Sequence, residues 1–315
     1  MKIIIPGGSG QVGTVLSRAF TADGHDVVVL SRNPQPAAWK TIAWDGKTLG
    51  DWTTELDGAD VVINLAGRSV NCRYHIKNRR AIMDSRVLST RVVGEAIAQC
   101  SVPPKVWLQA STATIYAHRF DAANDEATGI IGGNEPNLPD TWKFSYDVAT
   151  AWEKTLNEAN TPNTRKVLLR SAVTFSPDSG GVFAFLLRLV RFGLGGTNGN
   201  GKQYVSWIHD ADFVRAVYWL IQHTEIDGVV NLAAPNPIPN AEFMRTLRRA
   251  WGMPVGLPAT EWMLEIGTWL LRTESELVLK SRRVVPGRLR EHGFEFKFLT
   301  WDAAVADLCQ RWRNR

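Results

Sequence analysis

Two kinds of apolar pattern alternate along the chain. Short unbroken runs, Ile3-Ile4-Ile5, Val27-Val28-Val29-Leu30, Val61-Val62-Ile63, Val106-Trp107-Leu108 and Val167-Leu168-Leu169, are separated by longer amphipathic stretches. Continuous apolarity reads as a strand buried on both faces, as in parallel sheets. A weaker third strand is expected around Ile42-Ala43-Trp44, and the run from Val61 extends through Asn64-Leu65-Ala66-Gly67. Between the runs, Val12, Val15, Leu16, Ala19 and Phe20 repeat at helical spacing until Gly24 stops them. Further helices are expected over 77–100, with Ile82, Val92, Val93 and Ile97 inward, and over 144–159. Strands alternating with helices predict an α/β fold, a doubly wound, mainly parallel sheet.

From about Val173 the pattern changes. Gly180-Gly181, Gly193 and the glycine-rich stretch 195–201 interrupt the chain, and prolines punctuate the remainder. The division expected is a nucleotide-binding domain over 1–172 and a smaller substrate-side lobe over 173–315. Val229-Val230-Asn231-Leu232 reads as a strand that can return to the main sheet, so the boundary need not be clean.

Composition narrows the classes without choosing among them. The chain has 315 residues, 44% hydrophobic and 21% charged, with a net charge of +5. That suits a globular domain, and its scattered cations read as solvated surface rather than a nucleic-acid footprint. Cys72, Cys100 and Cys309 lie far apart, with neither disulfide-framework nor metal-ligand spacing. No run approaches the length of a membrane span; the best candidate, 262–271, is short and carries Glu265 and Gly267. The expectation is a cytoplasmic protein in a reducing compartment, without metal, membrane or nucleic-acid partner and with a homodimer as an option.

The candidate chemistry starts at the first strand's end. Gly7, Gly10 and Gly13 form a G-x-x-G-x-x-G turn between that strand and the first helix, the opening of a Rossmann-type βαβ unit. Such a turn lets backbone N–H groups of Gly10, Gln11 and Val12 approach a pyrophosphate, with the positive helix end behind them. Ser31-Arg32, Leu65-Ala66-Gly67 and Ser111-Thr112 also fall at strand ends, so four candidate contacts converge on one crevice. NAD-specific sites place an acid after the second strand; Ser31 and Arg32 stand there instead. A guanidinium and a hydroxyl can bind a 2′-phosphate, which favours NADP(H) over NAD(H). Alternatively, Arg32 is a surface arginine in a polar loop.

With the blocks Asn64-Leu65-Ala66-Gly67, Asp84-Ser85-Arg86 with Thr90, Trp152-Glu153, the stretch 195–201 and Ser206-Trp207-Ile208-His209-Asp210, the chain resembles the extended short-chain dehydrogenase/reductase superfamily. It is similar in particular to the atypical "epimerase family" branch, whose C-terminal domain of unknown function is of the DUF1731 type. Ser281-Arg282-Arg283-Val284-Val285-Pro286 and Gly293-Phe294-Glu295-Phe296 carry that part of the resemblance. It covers essentially the whole chain and implies a nicotinamide cofactor and a small-molecule substrate. It also implies roles for single residues. Asp45 follows the third strand, where related enzymes contact adenine, or it is a turn residue before Gly46. Leu65, Ala66 and Gly67 wall the cofactor or simply pack the strand end. Arg86 stands where the superfamily commonly has a helix asparagine, and either contacts a phosphate or acidic substrate or pairs with acids around Asp84.

The superfamily moves hydride with a Tyr-x-x-x-Lys pair and a Ser or Thr that orients the substrate oxygen. Thr112 stands where that hydroxyl belongs, as substrate contact or as cap of the next turn. The pair itself is missing. Counted back from Glu153, its positions fall on Ser145 and Ala149. Tyr146 is one residue off, about 100° around a helix, and Thr150 follows it where a lysine would be required. Tyr146 is therefore a catalytic candidate or a packing residue. His209 and Asp210 border the substrate crevice or fix the second lobe against the first. Trp44, Trp142 and Trp207 line a pocket or belong to the core. Lys143 and Arg73 attract an anionic substrate or are solvated. The leading function is an NADP(H)-dependent oxidoreductase or epimerase acting on a small carbonyl or hydroxyl substrate. The alternative is an NADP(H)-binding sensor that has lost the chemistry.

Overall fold

Strands buried on both faces must find helices for both, and the sheet does so. The computed structural model describes residues 1–260, 262–263 and 274–315; the apolar run 262–271 lies outside them except for Trp262 and Met263. The main sheet holds β1 (Lys2–Pro6), β2 (Asp26–Ser31), β3 (Lys40–Ala43), β4 (Val61–Asn64), β5 (Val106–Thr112), β6 (Arg165–Ser171) and β10 (Gly228–Leu232). Their order is β10-β6-β5-β4-β1-β2-β3, and every pairing is parallel. The helices of this half are α1 (Gln11–Ala22), α2 (Ile76–Ala98) and α3 (Asp140–Glu158). The order reverses at β1/β4, the crevice where doubly wound sheets bind ligands.

Successive residues of one strand serve opposite layers. Ile3 and Ile5 join Leu16 and Phe20 of α1 in one core, while Ile4 joins Val92, Val93 and Ile97 of α2 in the other. The fourth strand stops at Asn64, short of the apolar run. The Asn64 Oδ1 accepts the Ala66 N–H, and Leu65 N–H donates to Pro6 C=O, so the backbone leaves the ladder there. Helix α3 begins at Asp140, a turn earlier than the apolar spacing indicates, with the acid in its first turn where the helix dipole favours it.

The second lobe comprises β7 (Val173–Phe175), α4 (Val182–Arg191), β8 (Tyr204–Val205), β9 (Trp207–His209), α5 (Asp210–Gln222), β11 (Ile238–Pro239), α6 (Asn240–Trp251), α7 (Glu276–Leu279), α8 (Gly287–Glu291) and α9 (Trp301–Arg313). Its core gathers Phe175, Phe183, Trp207, Phe243, Met244 and Trp301. The two halves interlock rather than abut. Helix α5, reached after β9, packs Phe213, Val217 and Leu220 into the first core, and β10 closes the sheet beside β6. No helix among the described residues is long and apolar enough to cross a membrane.

Candidate active site

The glycine turn is built by close packing. Gly7 has φ 74°, in the left-handed region, and its N–H donates to Leu30 C=O. A Cβ on Gly7 would come within 2.5 Å of Ala66 Cα, and one on Gly13 within 2.4 Å of Gly8 Cα. These contacts seat α1 against the ends of β1 and β4. Gly10 caps α1 without a side chain, and the first helical bond runs from Thr14 N–H to Gly10 C=O. The amides of Gln11, Val12 and Gly13 therefore have no helical acceptor. A Cβ on Gly10 would meet only Gly7 O at 3.9 Å, so the turn is open on that side. Orphan amides, a positive helix end and open space together fit a pyrophosphate.

At the end of β2, Ser31 is buried and its hydroxyl donates to Ser9 Oγ at 3.2 Å. Arg32 beside it is exposed. Asp45 spends its carboxylate locally, accepting from Lys47 N–H, Thr48 N–H and Thr48 Oγ1 in the turn at Gly46. The Thr48 N–H bond, foremost among these, holds the Asp45 carboxyl below its usual range. Ala66 and Leu65 line the crevice floor next to Gly7, and the Arg86 guanidinium lies over Gly67. Asp84, the acid nearest Arg86 along the helix, pairs with Arg80 instead.

The chemical end is arranged differently from the superfamily pattern. Thr112 Oγ1 accepts the Thr114 N–H at 3.1 Å, capping the turn after β5. Tyr146 is 1% exposed, with its hydroxyl donating to Glu135 Oε1 at 2.9 Å. Burial, then the Glu135 carboxylate, pushes its phenol well above the usual tyrosine range. Ser145, in the superfamily tyrosine register, donates to Glu276 Oε2 at 2.5 Å. Ala149, in the lysine register, is fully buried. Glu276 belongs to α7, and the contacts that follow come from the residues just after that helix. Lys280 Nζ donates to Thr114 C=O at 2.8 Å and lies 3.6 Å from the Tyr146 ring centroid. Arg282 Nε donates to Thr114 Oγ1 at 3.1 Å. Burial pushes the Glu276 carboxyl up and the Lys280 ammonium down, and Glu276 Oε1 has no hydrogen-bond partner among the described residues. Tyr74, from the loop before α2, stands close enough to Ser145 and Glu276 to be shifted upward, mainly by burial and then by the Glu276 charge.

Thus the segment 274–283 packs against Thr114, His118, Ser145 and Tyr146, which nothing local in the sequence announced. Glu153, the superfamily acid, is taken into a buried lattice: Ser111 Oγ donates to it, Arg170 clasps both its oxygens, and Arg170 continues to Tyr116 and Asn231. Next to the Lys280 cluster opens a cleft of about 290 Å³ between the lobes, lined by His118, Phe120, Trp142, Asn200, Gln203 and Leu279. A larger cavity, about 420 Å³, lies between α4 and α9, away from the strand ends.

Several other candidates are structural. His209 is buried, accepts the Ala211 N–H on Nδ1, bonds Asp307 through Nε2 and stacks on Phe298 at 3.9 Å. Asp210 meets both Arg311 guanidinium nitrogens at 2.8 Å, tying α5 to α9. Trp44 packs edge-on against Trp52, and Trp207 against Trp301, both in the core. Lys143 pairs with Asp147 and Arg73 with Glu274.

A parallel sheet with this crossover, this glycine turn and a helix end open to phosphate defines a dinucleotide-binding fold of the short-chain dehydrogenase type. The chain belongs to the NAD dependent epimerase/dehydratase family, whose sequence pattern matches residues 3–233; a domain of unknown function, DUF1731, matches 259–308. Among its relatives, "Epimerase family protein YfhF" of Bacillus subtilis is 31% identical over 315 residues, 98% of each chain. The crystal structure of human epimerase family protein SDR39U1 with NADPH superposes with a TM-score of 0.86 at 28% identity, covering 98% of this chain and 99% of that one. A nucleoside-diphosphate sugar epimerase from Corynebacterium glutamicum gives 0.76 at 27% identity, covering 98% of this chain and 58% of that one.

Proposed function

We propose that this protein is an NADP(H)-dependent oxidoreductase or epimerase-like enzyme acting on a small carbonyl or hydroxyl substrate. The observation that carries the reading is the open N-terminus of α1, where Gln11, Val12 and Gly13 present unpaired amides beside Ser31 and Arg32. The NADPH in the human relative supports it. When bound, the nicotinamide supplies hydride acceptance or donation at its C4. The α1 amides hold the pyrophosphate, Arg32 and Ser31 the 2′-phosphate, and Leu65, Ala66 and Gly67 wall the nicotinamide half. Substrate enters from the cleft at His118 and Trp142, with the half-buried Thr112 and Ser145 hydroxyls as the polar groups beyond it.

Calorimetry with NADPH and NADH tests the cofactor assignment. Arg32→Ala is expected to weaken NADPH tenfold or more, the scale of a lost charge-assisted bond, and leave NADH unchanged. Equal affinity of the unaltered protein for both coenzymes overturns the preference. One observation favours a second reading, a cofactor-binding sensor: Ser145 and Ala149 stand where the tyrosine and lysine pair would act. Tight NADPH binding without transfer of its C4 hydride to any compound in a broad carbonyl panel is the result that selects it.

A further inference from the structure

Arg86 is fixed on three sides and open on the fourth. Its Nη1 donates to the carbonyls of Arg68 and Ile82, both at 3.1 Å. Its Cζ lies 5.0 Å from the Trp152 ring centroid, and that ring is itself held by an Nε1–H bond to Thr90 Oγ1 at 3.0 Å. On the crevice side, a Cβ on Gly67 would approach Cζ to 3.2 Å, so the guanidinium occupies space that any side chain at 67 would take. Nε and Nη2, by contrast, make no hydrogen bond, and no carboxylate pairs with Arg86 among the described residues. The ionisable groups nearest it are Tyr74 and Cys72, neither of them a carboxylate. Its own pKa falls to about 10 through burial. A rigid, half-buried guanidinium without an acid is costly to keep, and its natural complement is a planar or tetrahedral oxyanion.

We propose that the open Nε–Nη2 side of Arg86 binds an oxyanion carried by the substrate, a carboxylate or a phosphate group within reach of the reacting carbon. This rests on the cofactor reading above. The cofactor's own pyrophosphate belongs at the α1 amides. From there Gly7 packs on Ala66, and Arg86 lies beyond Gly67, on the side toward Tyr74 and Ser145. A guanidinium meets both oxygens of an oxyanion at once; a lysine ammonium meets them as a point charge.

The experiment is a fluorescence titration of NADPH into the unaltered protein, Arg86→Gln and Arg86→Lys, followed by titration of each complex with oxalate and, separately, inorganic phosphate. NADPH affinity is expected to change less than about threefold in either variant, since the coenzyme has its own anchors. At least one oxyanion is expected to bind the unaltered complex saturably, tenfold or more weaker in Arg86→Gln and partly retained in Arg86→Lys. Saturation by oxalate identifies a carboxylate substrate, by phosphate a phosphorylated one. Absence of a saturable response to both overturns the proposal. So does a tenfold loss of NADPH itself in a variant whose circular dichroism and melting are unchanged, because Arg86 then serves the coenzyme. If Arg86→Gln fails to fold, Arg86→Lys, which keeps the charge over Trp152, carries the comparison. Failure of the unaltered protein to bind NADPH removes the cofactor reading, and this assignment with it.

Discussion

Asp210 shows how a single charge holds one helix against another. Burial is the largest influence and opposes its ionisation, yet the hydrogen bonds and charge of Arg311, with smaller help from His209 and Ser176, together keep its carboxyl below the usual aspartate range. A depressed carboxyl adds stability above its unfolded pKa and loses it as pH falls through the folded one. Arg311→Ala is therefore expected to lower the melting temperature at pH 7. The gap from the unaltered protein should close as pH falls below about 3.9, the ordinary aspartate value. Melting curves from pH 7 to pH 2.5 check this; a gap that persists at the acid end contradicts it. Arg311 is partly exposed, so salt will narrow the gap as well.

At the scale of elements, α1 and its turn form one unit. With a Cβ on residue 13 only 2.4 Å from Gly8 Cα, Gly13→Ala must push α1 off the strand ends. The expected cost is about 1–3 kcal/mol, the range for overpacking, together with a loss of NADPH affinity, because the amides proposed to cradle the pyrophosphate move with the helix. Denaturant unfolding and calorimetry measure the two separately; unchanged values for both would contradict the packing argument.

This local character is why the element was legible beforehand. Parallel strands buried on both faces write themselves as unbroken apolar runs, and a phosphate turn writes itself as three spaced glycines. The short pairs β7·β9 and β8·β11 have two or three residues a strand, too few for any period to show. The contact between Ser145 and Glu276 spans 131 residues, and a Glu among the leucines of α7 reads as an ordinary helix acid. Tyr146 was visible as a tyrosine one position out of register. Its engagement by Glu135 and Lys280 depends on loops whose folding leaves no local pattern.

On the scale of the whole molecule, β10 makes the two lobes one body. It pairs with β6 over Gly228–Leu232, and Tyr116, Arg170 and Asn231 link the adjoining strands through side chains. Arg18 of α1 and Arg315 both reach Asp178, another tie between the nucleotide half and the rest. A fragment of residues 1–172 would leave β6 as a bare edge and Asn231's partners unpaired, so it is expected to be unfolded or aggregated. Gel filtration and circular dichroism of that fragment decide the matter; a stable monomer with native-like dichroism would show that the halves are separable.

Because the closing strand is encoded sixty residues after the one it covers, a nascent chain on the ribosome cannot complete its nucleotide-binding half when that half has been synthesised. Maturation of the coenzyme pocket waits for the first part of the second lobe, as far as Leu232, to emerge.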